Sequence, residues 1–402
     1  MIVAKSKRLF AVIAMLVMMA MVVTGCGGGN GGADNGDGDA GDLVEVKIGV
    51  SSPFTGDIAA LGLGIRNGAQ LAIEEAAPEL EEMGIKLTML AVDDAGDPKT
   101  GVNAANQMVS DSAVVGIVGH LNSGVSIPAS AVYNEAGVVQ VSPASTNPAL
   151  TLQGFENVFR VCTIDTVQGS FAAEFATDLG FTSVAVIDDS TPYGEGLAAE
   201  FAAAFEELGG DVTSTDKIQL KDTDFTALVT KIRGNNPDVI YFGGMYTEAG
   251  LISKQATESG FEGPVMGGDG LYTQQFIDIA GAANAEGDVA TSIGLPLAEQ
   301  PKGQEFQAAF EETFPGQTIE AYDTYAYDAA MVVIEAIKQV ATDLGAAEVV
   351  TAAGKQAIIE AVAATNMQGV TGTVSFDENG DTTNKAVTPY IVRDGAWVPY
   401  TD

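Results

Sequence analysis

The succession of apolar runs predicts an α/β protein with two doubly wound parallel-sheet lobes joined by three crossovers. From Leu43 onward, short runs rich in Val and Ile alternate with longer helical stretches, the pattern of parallel strands linked by crossover helices. The roughly 360 residues of this stretch exceed what one hydrophobic core usually organises, which predicts two lobes. The alternation then stops. Gly303 to Thr313, Tyr322 to Leu344 and Ala353 to Ala364 read as helices with no clear strand between them, so they must cover a lobe already built.

In the first lobe, strands are expected at Val44 to Val50, Ile85 to Val92, Val114 to Val118 and Val138 to Val141. Helices are expected between them at Gly64 to Ala76, Pro98 to Ser110 and Gly124 to Glu135, with Pro98 where a helix start tolerates proline. A second series follows, with strands at Ser183 to Ile187, Asp211 to Ile218, Val239 to Phe242, Pro264 to Met266 and Gly287 to Thr291. Its helices are Val167 to Leu179, Gly194 to Leu208, Phe225 to Arg233, Glu248 to Ser259 and Thr273 to Ile279. Assigning the three closing helices to the first lobe makes the chain cross near Thr163 to Thr166, Ser292 to Pro296 and Gly372 to Phe376. The N-terminal lobe is then 43–163 with 295–373, and the C-terminal lobe 164–294 with 374–402. Asp377 to Asp381 reads as a tight turn, because Asn379-Gly380 supplies the positive backbone angles a hairpin requires. It is no calcium loop: counted from Asp377, the sixth residue is not Gly and the twelfth is not Glu.

The start of the chain reads as an address. Lys5, Lys7 and Arg8 precede an unbroken apolar run of fifteen residues, Leu9 to Val23, too short to span a bilayer and suited to a secretory signal. Residues 1–25 are therefore expected to be a signal peptide. Val23-Thr24-Gly25-Cys26 resembles the lipobox of bacterial lipoproteins, which implies a diacylglyceryl group on the Cys26 sulfur and an extracytoplasmic protein anchored to the membrane by lipid. Gly27 to Asp42 holds no aliphatic residue larger than Ala, so it cannot bury a core and is expected to be a disordered tether. Its root-mean-square span is ~20–24 Å. Gly36-Asp37-Gly38-Asp39-Ala40-Gly41 matches a dinucleotide fingerprint in letters only, since no strand precedes it and no apolar helix follows directly.

Removing the leader takes three of the 18 basic residues and none of the 54 acidic ones, a balance that argues against nucleic acid as a partner. The acidic excess favours solubility and would suit a salty habitat. Reactive groups are few: His120 is the one histidine, and Cys162 is the one thiol left once Cys26 is committed to lipid. No zinc site of three or four His and Cys ligands can be assembled, no nucleophile elbow or Walker motif occurs, and no cofactor is expected. Cys162 reads as a small buried apolar residue. Adjacent acids such as Asp93-Asp94 and Asp188-Asp189 read as loop caps or solvated faces, not a glycosidase pair.

Ligands of parallel sheets collect at the carboxyl ends of strands, so the loops that follow them are informative. Gly119-His120-Leu121-Asn122-Ser123-Gly124 ends a strand and opens a helix whose first amides suit an anion. Ser142-Pro143-Ala144-Ser145-Thr146-Asn147 repeats the arrangement one unit later. In the second lobe, Tyr193 offers an aromatic ring and Gly267-Gly268-Asp269-Gly270 a carboxylate between glycines. Donors for a carboxylate thus face an acid for an ammonium, the makings of a zwitterion site.

From Ile48-Gly49-Val50 through Asp93-Asp94-Ala95-Gly96-Asp97-Pro98, Gly119-His120-Leu121, Ser142-Pro143-Ala144, Tyr193-Gly194-Glu195-Gly196 and Tyr241-Phe242-Gly243-Gly244, the chain resembles the leucine/isoleucine/valine-binding proteins of bacterial ABC transporters. The resemblance implies the type I periplasmic-binding fold, an amino acid ligand and ABC permease subunits as partners. It implies that Ser123 and Thr146 hold the α-carboxylate, that Ala144 offers its carbonyl to the ammonium, and that Asp269 stands where the family has a glutamate. Tyr193 would cover the ligand. Leu61 and Met245 fall where the family pattern has tyrosine, and the family's disulfide falls at Gly96 and Asn122, so that bond is missing. A monomer is expected. An amide, urea or aromatic-acid ligand, a sensory receptor module, and an enzyme built on His120 and Ser123 are the alternatives. Each site residue also has a plainer role available: Ser123 and Thr146 as helix caps, Tyr193 as packing, Asp269 as a turn. Asp93, Asp94 and Asp97 are expected to cap the Pro98 helix.

Overall fold

The computed structural model describes residues 43–401; the expected signal peptide, the Cys26 lipid site and the Gly27 to Asp42 tether lie outside them. In the first lobe, β1 (Val44–Ser52), α1 (Ala59–Glu82), β2 (Ile85–Asp93), α2 (Pro98–Val109), β3 (Val114–Gly119), α3 (Ser123–Ala136), β4 (Val139–Ser142) and β5 (Val158–Arg160) follow in order. Their strands form one parallel sheet, β2-β1-β3-β4-β5. Every residue of β3 and β4 is buried, as befits strands covered on both faces.

The second lobe contains α4 (Asp165–Asp178), β6 (Ser183–Asp188), α5 (Pro192–Glu207), β7 (Asp211–Lys217), α6 (Thr226–Asn235) and β8 (Val239–Gly243). It continues through α7 (Tyr246–Glu258), β9 (Val265–Gly267), α8 (Gln274–Ala280), α9 (Ala282–Ala285) and β10 (Val289–Ile293). The parallel order β7-β6-β8-β9-β10 repeats the winding of the first sheet. In each sheet the winding reverses beside its first strand, between β1 and β3 and between β6 and β8, where crevices open at the carboxyl ends.

The chain then returns as α10 (Gly303–Thr313), α11 (Asp323–Leu344) and α12 (Ala352–Ala363). Helix α11 lies along α1 and on β3 and β4. The two helices touch backbone to backbone: a methyl group at Gly68 would stand 2.1 Å from the carbonyl oxygen of Asp323. Five short strands went unread in the sequence: β5, the antiparallel pair β11 (Asn366–Gln368) and β12 (Thr373–Ser375), then β13 (Val387–Arg393) and β14 (Ala396–Pro399). The last two extend the second sheet antiparallel from β10. Their turn is Asp394-Gly395, with φ of 52° and 75°, the two-residue signal that favours a hairpin. On β14, Trp397 donates its indole N–H to the Thr273 carbonyl at 2.9 Å and packs on Phe276.

The turn at Asp377 to Asp381 forms, with Gly380 at φ 88° and the Asp377 carboxylate accepting from the N–H groups of Asn379 and Asp381. It joins no strand pair; only a single bridge links Phe376 to Thr382. Its product is the placement of Asp381, whose carboxylate accepts from Arg160 Nε on β5 at 2.5 Å. At Asp381 the chain is thus still bound to the first sheet, and it passes to the second between there and β13, later than the expected Gly372 to Phe376.

Candidate functional site

Three loops at strand ends converge. After β3, Asn122 stands at the N-cap of α3 without a side-chain capping bond, and Ser123 opens the helix, whose first N–H groups have no intrahelical acceptor. Ser123 Oγ accepts from the Asn147 N–H at 3.2 Å, which ties this loop to the one after β4. In that second loop, Ser142 Oγ accepts from the N–H of Ser145 and donates to the His120 carbonyl. Thr146 is fully buried, and its Oγ1 makes no well-aligned hydrogen bond among the described residues, although it stands close enough to the buried Asp165 carboxylate to pull that acid's pKa down.

The third loop follows β9. Asp269 is 0% exposed, and no salt bridge reaches it among the described residues. Tyr193 donates to its Oδ1 at 2.7 Å and Tyr322 to its Oδ2 at 2.8 Å. Burial pushes its pKa above the usual carboxylate value, while Tyr193, Tyr322 and Gln168 pull it back. The flanking glycines make room for this: a Cβ at Gly268 or Gly270 would lie 2.9 or 3.1 Å from the Tyr193 hydroxyl.

Ser123, Ala144, Tyr193 and Met245 line one cavity of about 10 Å³, together with Leu121, Asn122 and Tyr322. That is room for about one water sphere. Asn122, Tyr193 and Met245 also line a neighbouring cleft of about 390 Å³ that runs out past Ile58, Pro98 and Glu248. Asp269 is one hydrogen bond from the small cavity through Tyr193 and Tyr322, and Thr146 is one residue from Asn147, the partner of Ser123. Leu61 is different. It is buried in the packing of α1 and lines neither cavity.

Sequence reasoning missed Tyr322, which sits at the N-cap of α11. Its position could be read as a helix start but not as a strand-end loop, so the rule that found the others passed over it. The three acids before α2 also divide their work. Asp97 alone caps that helix, accepting from the Thr100 N–H at 2.8 Å. Asp93 instead accepts from the N–H groups of Phe54 and Ala95. Asp94 lies 2.6 Å from His120 Nδ1, and the other ring nitrogen is 2.9 Å from the Tyr133 hydroxyl. Both nitrogens of the buried His120 are therefore occupied away from Ser123. Gly96 and Asn122 do face each other, a Cβ at Gly96 falling 3.4 Å from Asn122 Oδ1. Burial pushes the Cys162 thiol pKa up, and the residue behaves as part of the core.

Among the described residues, Thr247 Oγ1 donates to the Asp57 carbonyl at 3.3 Å across the lobe seam, and further hydrogen bonds cross it around these cavities. Tyr246 donates to the Asp57 carbonyl at 2.8 Å, Asn147 Nδ2 to the Pro192 carbonyl at 2.6 Å, Thr273 Oγ1 to Glu320 at 3.0 Å, and Tyr322 to Asp269.

Comparison with known proteins gives the same architecture. The family described as periplasmic binding protein matches residues 45–396. A Leu/Ile/Val-binding protein homolog 1 of Brucella suis is 36% identical over 342 residues, 84% of this chain and 87% of that one. The crystal structure of a leucine binding protein, LivK, from Thermotoga maritima superposes with a TM-score of 0.80 at 33% identity, covering 89% of this chain and 98% of the other. The branched-chain amino acid transporter substrate binding protein LivJ from Streptococcus pneumoniae, in complex with isoleucine, gives 0.78 at 27% identity, covering 89% and 100%. With a family match over most of its length and relatives this similar on both counts, the chain belongs to the periplasmic binding proteins.

Proposed function

We propose that this protein is the extracytoplasmic receptor of an ABC transporter, closing its two lobes on a branched-chain or other amino acid and handing it to the permease. The observation that carries the reading is Asp269, a fully buried acid with no salt bridge among the described residues, whose partners Tyr193 and Tyr322 share a cavity with Ser123 at the start of α3. An α-amino acid supplies what each lacks: its carboxylate meets the Ser123 end and Thr146, and its ammonium meets Asp269 and the carbonyl of Ala144. Tyr193 and Met245 then wall the side chain. Relatives named for Leu, Ile and Val, and a neighbour holding isoleucine, support an amino acid as ligand.

No reaction belongs to this reading, because the single histidine is bound to Asp94 and Tyr133 and does not activate Ser123. A lipid on Cys26 would keep a monomeric receptor beside its permease.

The test is thermal denaturation of the chain from Gly27 onward with a panel of amino acids, amides and small organic acids. An amino acid at 100 times its dissociation constant should add about 2.7 kcal/mol of stability. Stabilisation by amides or aromatic acids but by no α-amino acid would overturn the amino acid assignment. In calorimetry, Asp269→Ala should weaken binding by about 2–5 kcal/mol, since it strands a buried ammonium.

A further inference from the structure

The two phenols on Asp269 differ in origin. Tyr193 lies on α5 of the same lobe as Asp269, whereas Tyr322 caps α11, which packs on α1, β3 and β4 of the other. The first bond can persist whatever the lobes do. The second exists only while they are together.

Asp269 needs such a bond. Its side chain is short, so the direction of its carboxylate is set by the donors on its two oxygens, and Tyr193 fixes only Oδ1. The Tyr322 phenol also stands in the wall of the small cavity beside Ser123 and Ala144. One side chain thus touches the acid, the cavity and the lobe seam. A hydrogen bond to a charged acceptor is among the stronger neutral-donor contacts, and it strengthens further in a water-excluded site.

Building on the amino acid reading, the geometry points to Tyr322 as a specificity-determining residue that aims the Asp269 carboxylate at the ligand's amine only when the lobes have closed. Recognition of the amine and closure become one event. Tyr193 holds the acid in readiness, and Tyr322 completes its orientation from across the seam.

The experiment compares wild type with Tyr322→Phe, which keeps the ring and removes the donor. Calorimetry uses the α-amino acid that wild type binds best and competes it with its des-amino counterpart; stopped-flow measures the rates. The expected result is an amino acid affinity at least tenfold lower, carried by faster dissociation with the association rate within twofold, and an unchanged affinity for the des-amino acid. Equal losses for both ligands would make Tyr322 a structural residue and overturn the proposal, as would no loss for either. If the des-amino acid binds too weakly to measure, the rates decide: slower association, or unchanged dissociation, overturns it. If wild type binds no α-amino acid at all, the amino acid reading fails, and this inference goes with it.

Discussion

Asp288 shows how a residue outside the site can govern the protein's response to pH. Burial pushes its carboxyl up to about 7, against the pull of the Ser253 hydroxyl and the Val265 N–H that it accepts. A raised folded-state pKa means that the folded protein binds the proton more tightly than the unfolded chain. The stability tied to this group is therefore fully present below pH 4 and lost as the pH rises through about 7. Asp165, pushed up to about 8, and Asp189, to about 6, have the same cause and sign. Asp288→Asn keeps the volume and an acceptor for Val265 while removing the charge. Its gain over wild type should grow from about pH 4 to about pH 7 and level off above, so the gain at pH 8 should exceed the gain at pH 5 by roughly 1 kcal/mol or more. Urea midpoints at the two pH values measure this, and a gain of equal size at both would rule out ionisation as the reason.

Among the elements, packing distance decides which glycines matter. Gly68 lets α1 lie against the Asp323 carbonyl, so Gly68→Ala should cost about 1–3 kcal/mol by wedging α1 from α11. Gly234 in α6 has open space at its Cβ position and ordinary helical angles, so Gly234→Ala should stabilise by about 0.5–1 kcal/mol. Thermal unfolding of the pair checks both signs. Asp381→Ala should cost about 3–5 kcal/mol, because it leaves the Arg160 guanidinium buried without its carboxylate. The sequence displayed the long periodic elements, because Val- and Ile-rich runs punctuated by helices can be read locally. It concealed β5 and β11, three residues each, which are strands only because a neighbour pairs with them. The hairpin at Asp394-Gly395 is legible locally, because Asp-Gly is a two-residue turn signal. Leu61, which the resemblance implies to be a pocket wall, is buried in the packing of α1. Tyr322 could not be found from strand ends, since it arrives from a helix cap more than fifty residues after Asp269.

At the scale of the whole molecule, two sheets of identical winding present their strand ends to each other, and few polar bonds cross the seam. Few bonds suit a protein whose lobes must part, since the ligand then decides which state prevails. The formal net charge of −36 places both lobes under mutual repulsion. Scanning calorimetry should therefore show the melting temperature rising as NaCl increases from 0.01 to about 0.5 M, where screening shortens from ~30 Å to a few ångströms. A fall would mean that exposed ion pairs outweigh the repulsion.

The lone tryptophan adds a practical consequence. Trp397 holds the carbonyl of Thr273, and the hydroxyl of that same residue reaches across the seam to Glu320. An indole so placed is a built-in fluorophore. Its emission should shift in wavelength when the lobes part, so closure can be timed in solution without attaching a dye.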